Sequence, residues 1–149
     1  MWKERLTSIY AGCVFEQPVN PSDLEDLQSN LEPEIPSDLR SLLEETDGLG
    51  FQIVVDPNID PEEGVITTGL VSSVQDIWDD TSTYRSFGAA FNDFIVFGSM
   101  PNGDFLAYCF VGPGEDPDVW VISHENHNDR YPFASSLDEA LRIILECAE

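Results

Sequence analysis

Basic residues are nearly missing from this chain: 6 lysines and arginines stand against 29 aspartates and glutamates in 149 residues, a formal net charge of −23. Between Arg40 and Arg85 there is none at all. Nucleic-acid binders carry the opposite balance, because neutralising phosphates needs a basic footprint, so nucleic acid is excluded as a partner. Long apolar runs are missing too, and nothing approaches the ~18–20 residues that cross a bilayer, so no membrane association is expected. Met1-Trp2-Lys3-Glu4-Arg5 is charged but leads into no apolar stretch, so a signal peptide is not expected and the chain should stay in the cytoplasm. Cysteine is sparse: Cys13, Cys109 and Cys147 are far apart, odd in number and without a C-x-x-C pair, which argues for reduced thiols. None has a basic sequence neighbour that would activate a thiolate, and Cys109, inside the apolar run 105–111, reads as a small buried hydrophobe. There is no glycine-rich phosphate cradle ahead of a helix, no G-x-S-x-G, and no cysteine close to a histidine.

What remains is enough for a packed domain. Hydrophobic residues make up 42% and aromatic residues 11%, whereas disordered acidic chains are poor in both. At this length one domain over 1–149 is expected, burying roughly 68–70% of its unfolded surface. The acids are threaded between the core-forming segments rather than gathered in a tail. Glu44, Glu45, Asp47, Asp56, Asp60, Glu62, Glu63, Asp76, Asp79 and Asp80 accumulate in the stretch without bases. Such a surface opposes compaction and steers cations toward it. A basic protein is its natural partner, a metal ion the next possibility, and plain solubility the third.

Periodicity gives an order of elements. Leu6, Ile9, Tyr10 and Cys13 form a helical stripe over 4–13. Asn20-Pro21-Ser22 is a helix start, Leu24, Leu27 and Leu31 its apolar face, and Pro33 its end. A second helix runs through Pro36–Leu43, with Asp47-Gly48 as its stop. From Gly50 the period becomes that of strands: 51–55, then the proline-stiffened acidic loop 56–64, then 65–71. Ser73–Trp78 begins a short helix or turn, and the region to Ser86 is ambiguous. Strands follow at 94–98, 105–111 and 119–122, joined by Pro101-Asn102-Gly103-Asp104 and Gly112–Pro117 turns. Ser136 and Glu139 make a capping box for a last helix whose stripe is Leu137, Leu141, Ile144 and Leu145. Helices first, an antiparallel meander next and one closing helix predict an α+β fold with the helices packed on the sheet.

Three groups invite a chemical reading. His124-Glu125-Asn126-His127, with Asp129 nearby, suggests a metal; the histidines are three apart in a loop, where the zincin arrangement needs four on a helix, so hydrogen-bonded or solvated rings are favoured. The acidic loop Asp56–Glu63 lacks the ligand spacing of a calcium loop; its two prolines lower the entropy lost on presenting its acids to a partner, although a merely solvated loop is the favoured reading. Trp78 lies among Asp76, Asp79 and Asp80. Exposed, it is an aromatic anchor ringed by acids; buried, it is core.

The order of motifs resembles the SUKH superfamily, which contains the yeast cell-wall-assembly regulators of SMI/KNR type and many bacterial immunity proteins. The segment Glu34-Ile35-Pro36-Ser37-Asp38-Leu39-Arg40-Ser41-Leu42-Leu43, closing on Asp47-Gly48, is similar to its opening helix, although Asn-Gly is usual at that stop. Phe97-Gly98 with Asn102-Gly103-Asp104, the strand ending in Ser123-His124-Glu125, and Ala134–Leu141 follow in the family's order, so that the match covers 20–146. The resemblance implies a single α+β domain that works by binding, without catalysis or cofactor. It further implies an immunity protein that neutralises a cognate toxin domain, often a nuclease, by occluding it. The alternative is a regulatory scaffold of the cell-wall-regulator type. A metal-dependent enzyme built on His124, His127 and nearby acids ranks a distant third. Glu44, Glu45, Asp47, Asp56, Asp60, Glu62, Glu63, Asp76, Trp78, Asp79 and Asp80 are the candidate partner face.

Overall fold

The computed structural model describes residues 1–54, 58, 65–110 and 116–148. The chain runs α1 (Trp2–Ile9), β1 (Cys13–Phe15), α2 (Pro21–Asn30), α3 (Ser37–Glu45), β2 (Leu49–Val54), β3 (Val65–Val71) and α4 (Val74–Ser86). A single 3-10 turn (Ala89–Phe91) then leads to β4 (Phe94–Ser99), β5 (Phe105–Cys109), β6 (Asp118–Ile122), β7 (Arg130–Ala134) and α5 (Leu137–Cys147). All strands join one sheet in sequence order, β1 to β7, and each pairs antiparallel with the next. This is the expected α+β meander.

Side-chain alternation divides the sheet into two faces. Ile95, Phe97, Leu106, Tyr108, Val119 and Val121 point into the main core, where Leu39, Leu42 and Leu43 of α3 and Leu137, Leu141 and Leu145 of α5 meet them. Phe94, Val96, Ala107 and Ile122 point the other way, into a smaller cluster with Tyr84 and Phe91. The Arg130 guanidinium lies 4.9 Å from the centre of the Phe91 ring.

Helix α4 explains how one helix serves both faces. β3 meets β4 at a single pair, Val71 with Gly98, so much of the β4 edge has no strand beside it. Helix α4 fills that edge. Thr81, fully buried, accepts the Val96 N–H at 3.0 Å and donates its hydroxyl to the Val96 carbonyl at 3.3 Å. Arg85 donates to the Phe94 carbonyl at 3.2 Å. Ile77 and Val74 reach the main core while Tyr84, further along, reaches the second cluster.

Several boundaries differ from the periodicity. The first helix stops at Ile9, because Cys13 enters strand β1 opposite Phe51. The ambiguous stretch 73–86 is one helix of 13 residues, begun by Ser73, whose hydroxyl accepts from the Asp76 N–H at 3.2 Å. Helix α3 ends in extended backbone at Thr46, and Gly48, with φ 124°, turns the chain into β2 rather than capping the helix. Strands β1 and β7 were not predicted: the former is only 3 residues long and the latter follows a polar loop and contains Pro132. In the capping box the Ser136 hydroxyl accepts from Glu139 N–H at 3.1 Å, but the Glu139 carboxylate returns to Ser135. The acidic loop expected at 56–64, Asn58 apart, and residues 112–115 of the turn expected at 112–117 lie outside the described residues. Cys13, Cys109 and Cys147 are free thiols, and burial pushes up those of Cys13 and Cys109.

Candidate partner-binding face

The acids singled out from sequence do different work. Glu45 is half-buried and faces inward, accepting the Trp2 N–H at 2.9 Å, the Lys3 N–H at 3.2 Å and the terminal amine at 3.3 Å. Its desolvation favours the neutral acid, yet these donors outweigh it and hold the carboxyl below its ordinary range. It is an anchor for the open first turn of α1, whose N–H groups lack helical partners. Glu44, exposed, pairs with Arg40 one turn back at 3.2 Å, and Arg40 also donates to Gln28 of α2 at 2.6 Å. Asp47 accepts the Val74 N–H at 2.8 Å and so helps start α4 beside Ser73. Asp56, Asp60, Glu62 and Glu63 lie outside the described residues.

The acids of α4 separate around the helix by its rotation of about 100° per residue. Asp79 accepts from the Gln75 amide at 3.0 Å and stays exposed. Asp80 is half-buried, and desolvation first, then the charges of Asp76 and Asp79, raise its pKa. Trp78 stands between them with 39% of its surface exposed, which settles the alternative left open above: the indole is on the outside.

Trp78 borders a groove between α2 and α4 of about 260 Å3, lined also by Asp23, Asp26, Leu27, Asp47 and Gln75. Three carboxylates therefore line an apolar floor, and no basic side chain does. On the other side of the α4 start, a larger groove of about 670 Å3 lies on the sheet, lined by Glu16, Asp47, Asp76 and the backbone of β2 and β3. Asp47 lines both. Of the candidate face, the structure thus sets Asp47 beside Trp78 in one groove and beside Asp76 in the other, with Asp76 and Trp78 on opposite sides of α4 and Asp79 exposed, and leaves Glu44 and Glu45 on α3, engaged with Arg40 and with α1.

Asp23, Asp26 and Glu16 were missed as members of that face. Asp23, Asp26, Leu27 and Asn30 recur at helical spacing, so the first two were legible once α2 had a partner helix. Glu16 carried no signal, because its position depends on β1.

The paired-histidine metal site does not form. The His124 ring donates to Asp104 Oδ1 at 2.7 Å, whereas His127 stacks on Phe87 with ring centres 4.6 Å apart. Among the described residues, no group of 3 or more His, Cys, Asp or Glu could hold a metal ion, and no helix is long and apolar enough to cross a membrane.

A seven-stranded antiparallel meander with helices at both ends defines a single α+β domain. The chain belongs to the SMI1 / KNR4 family (SUKH-1), whose pattern matches residues 18–143. No curated protein matches it.

Proposed function

We propose that this chain is a non-catalytic binding protein of the immunity type, which neutralises a cationic toxin domain by covering it. One observation carries the reading: the exposed Trp78 indole borders a groove with Asp23, Asp26 and Asp47 and no basic residue. An indole face attracts a guanidinium or ammonium, and carboxylates beside it complete the hydrogen bonds such a group requires. Clefts that bind nucleic acid are rich in these cations. The net charge of −23 would speed encounter with such a cleft, while a few desolvated contacts around Trp78 would set the lifetime of the complex.

The test is co-expression with the products of neighbouring genes, followed by binding kinetics of any toxin it protects against. Protection, association that slows steeply with salt, and faster dissociation for Trp78→Ala support the reading. Binding to a neighbour's product without protection would favour the regulatory scaffold. A cognate partner that binds Trp78→Ala and an Asp23→Asn/Asp26→Asn/Asp79→Asn variant as tightly as the native chain would overturn it.

A further inference from the structure

The larger groove holds a glycine beside an irregularity of β3, where Leu49 pairs with Val71 and Gly50 with Gly69. Val14, Gly50 and Gly69 sit directly opposite one another on β1, β2 and β3, so all three face the same side of the sheet. That side is away from the main core, since Phe51, next to Gly50, is fully buried in it. Gly50 has a steric reason: a Cβ there would come within 2.8 Å of the Thr68 carbonyl oxygen. Gly98 is likewise pressed against the Leu70 backbone. Gly69 has none. An added Cβ would meet only the Ser99 hydroxyl, at 3.8 Å, an ordinary contact, and its backbone is not in the left-handed region. Glycine inside a strand lowers stability and marks a bulge or a place another backbone approaches; here the bulge leaves the surface above Gly69 bare of side chain.

Two further facts describe what approaches. Toward β4, Val71 pairs with Gly98, the Ser72 N–H donates to the Phe97 carbonyl at 2.8 Å and the Gly69 carbonyl accepts the Ser99 hydroxyl at 3.3 Å. Residues 65–68 of β3 have no strand partner on that side among the described residues, so this part of the edge offers main-chain donors and acceptors beside the groove. The groove is lined by the carboxylates of Glu16, Asp47 and Asp76 and by no lysine, arginine or histidine. A helix has no free main-chain groups to pair with an edge, whereas an extended strand does.

We propose that this groove docks an extended, cationic segment of a partner protein, whose backbone lies over Gly69 against the β3 edge and whose basic side chains reach Glu16, Asp47 and Asp76. The inference rests on the binding-protein reading and adds the shape of what is bound.

A fluorescent peptide alternating arginine with valine is the probe, with a glutamate–valine peptide as its opposite. The arginine peptide should bind the native chain and the glutamate peptide should not. Gly69→Tyr should weaken binding at least tenfold, about the ratio that 1.4 kcal/mol represents, with its melting midpoint retained, whereas Glu146→Tyr, exposed on α5, which packs on the opposite, main-core face of the sheet, should leave binding within about twofold. Glu16→Gln/Asp76→Asn should flatten the salt dependence. In the native chain, backbone amide NMR shifts on binding should concentrate in 67–73 and 14–17, a readout that does not depend on any variant folding. Absence of binding, binding indifferent to a folded Gly69→Tyr, or shifts confined elsewhere would overturn the proposal. The outcome for Trp78→Ala with the cognate partner is separate, so the binding-protein reading can stand if the groove fails.

Discussion

Asp104 and His124, 20 residues apart in the chain, close on each other at the β5–β6 end of the sheet: Asp104 Oδ1 accepts both the ring N–H, at 2.7 Å, and the backbone N–H, at 3.2 Å, of His124. The Asn102 amide donates to the other carboxylate oxygen at 3.1 Å. The Asn-Gly-Asp turn and the strand ending in His-Glu, separate motifs in the sequence, are thus two halves of one latch. Gly103, with φ 95°, fits against the His124 ring, which a Cβ there would approach at 3.5 Å.

Removing the Asp104 charge should therefore loosen this end of the sheet. Desolvation raises the carboxyl's pKa, but the bonds from His124 and Asn102 more than offset it and hold it below its ordinary value. A group depressed in the folded state adds stability above its unfolded pKa, about 3.9, and loses it as pH falls through the folded value. Asp104→Asn should cost about 1–2 kcal/mol at neutral pH and less in acid. Denaturant unfolding at a series of pH values reads the difference.

Asp80 should behave in the opposite sense. Its raised pKa means the folded chain holds a proton that the unfolded chain releases, so stability falls as pH rises between the two values. Asp80→Asn should melt slightly higher than the native chain at neutral pH, by about 0.5 kcal/mol, and this gain should vanish in acid below the unfolded value. Calorimetry at both pH extremes checks it.

Thr81 makes the β4 edge tolerable, and Thr81→Val, similar in shape, leaves both Val96 groups buried without a partner. The expected loss is about 1–3 kcal/mol for an unsatisfied buried group. Thr81→Ser should recover most of the hydrogen bonding. Faster hydrogen exchange at the Val96 amide in the valine variant alone would locate the effect at this edge.

Asp47 and Asp79 should part company when mutated. Asp47→Ala removes an acceptor from the α4 start and should lower stability by about 1 kcal/mol, the usual effect of losing a helix cap. Asp79→Asn should leave stability within about 0.5 kcal/mol yet slow association with a cationic partner at low salt. Thermal melting and stopped-flow association separate the two roles.

The order of elements and the family were legible from local signals. Pro21 after Asn20, the leucines of α3, the Asn102-Gly103 turn and the Ser136 cap each act within a few residues, and their sequence reproduces the meander. β1 and β7 escaped because short strands draw their stability from the neighbour they pair with, not from their own composition. The helix at 74–86 was blurred for a related reason: its Thr81 and Tyr84 answer to the β4 edge and the second aromatic cluster rather than to a single apolar stripe.

The amino-acid sequence alone determined that this is a compactly packed, strongly anionic member of its family, since charge and hydrophobic spacing are properties of the chain. Which acids point outward was decided only by tertiary structure. Glu45 and Asp47 each meet open helix N–H groups that other parts of the chain deliver to them, whereas Asp79 meets only its own helix. A carboxylate beside unsatisfied donors is tied into the scaffold, as Glu45 is, even where, like Asp47, it also borders a groove; one left in water is held by nothing but a partner. Composition counts both alike.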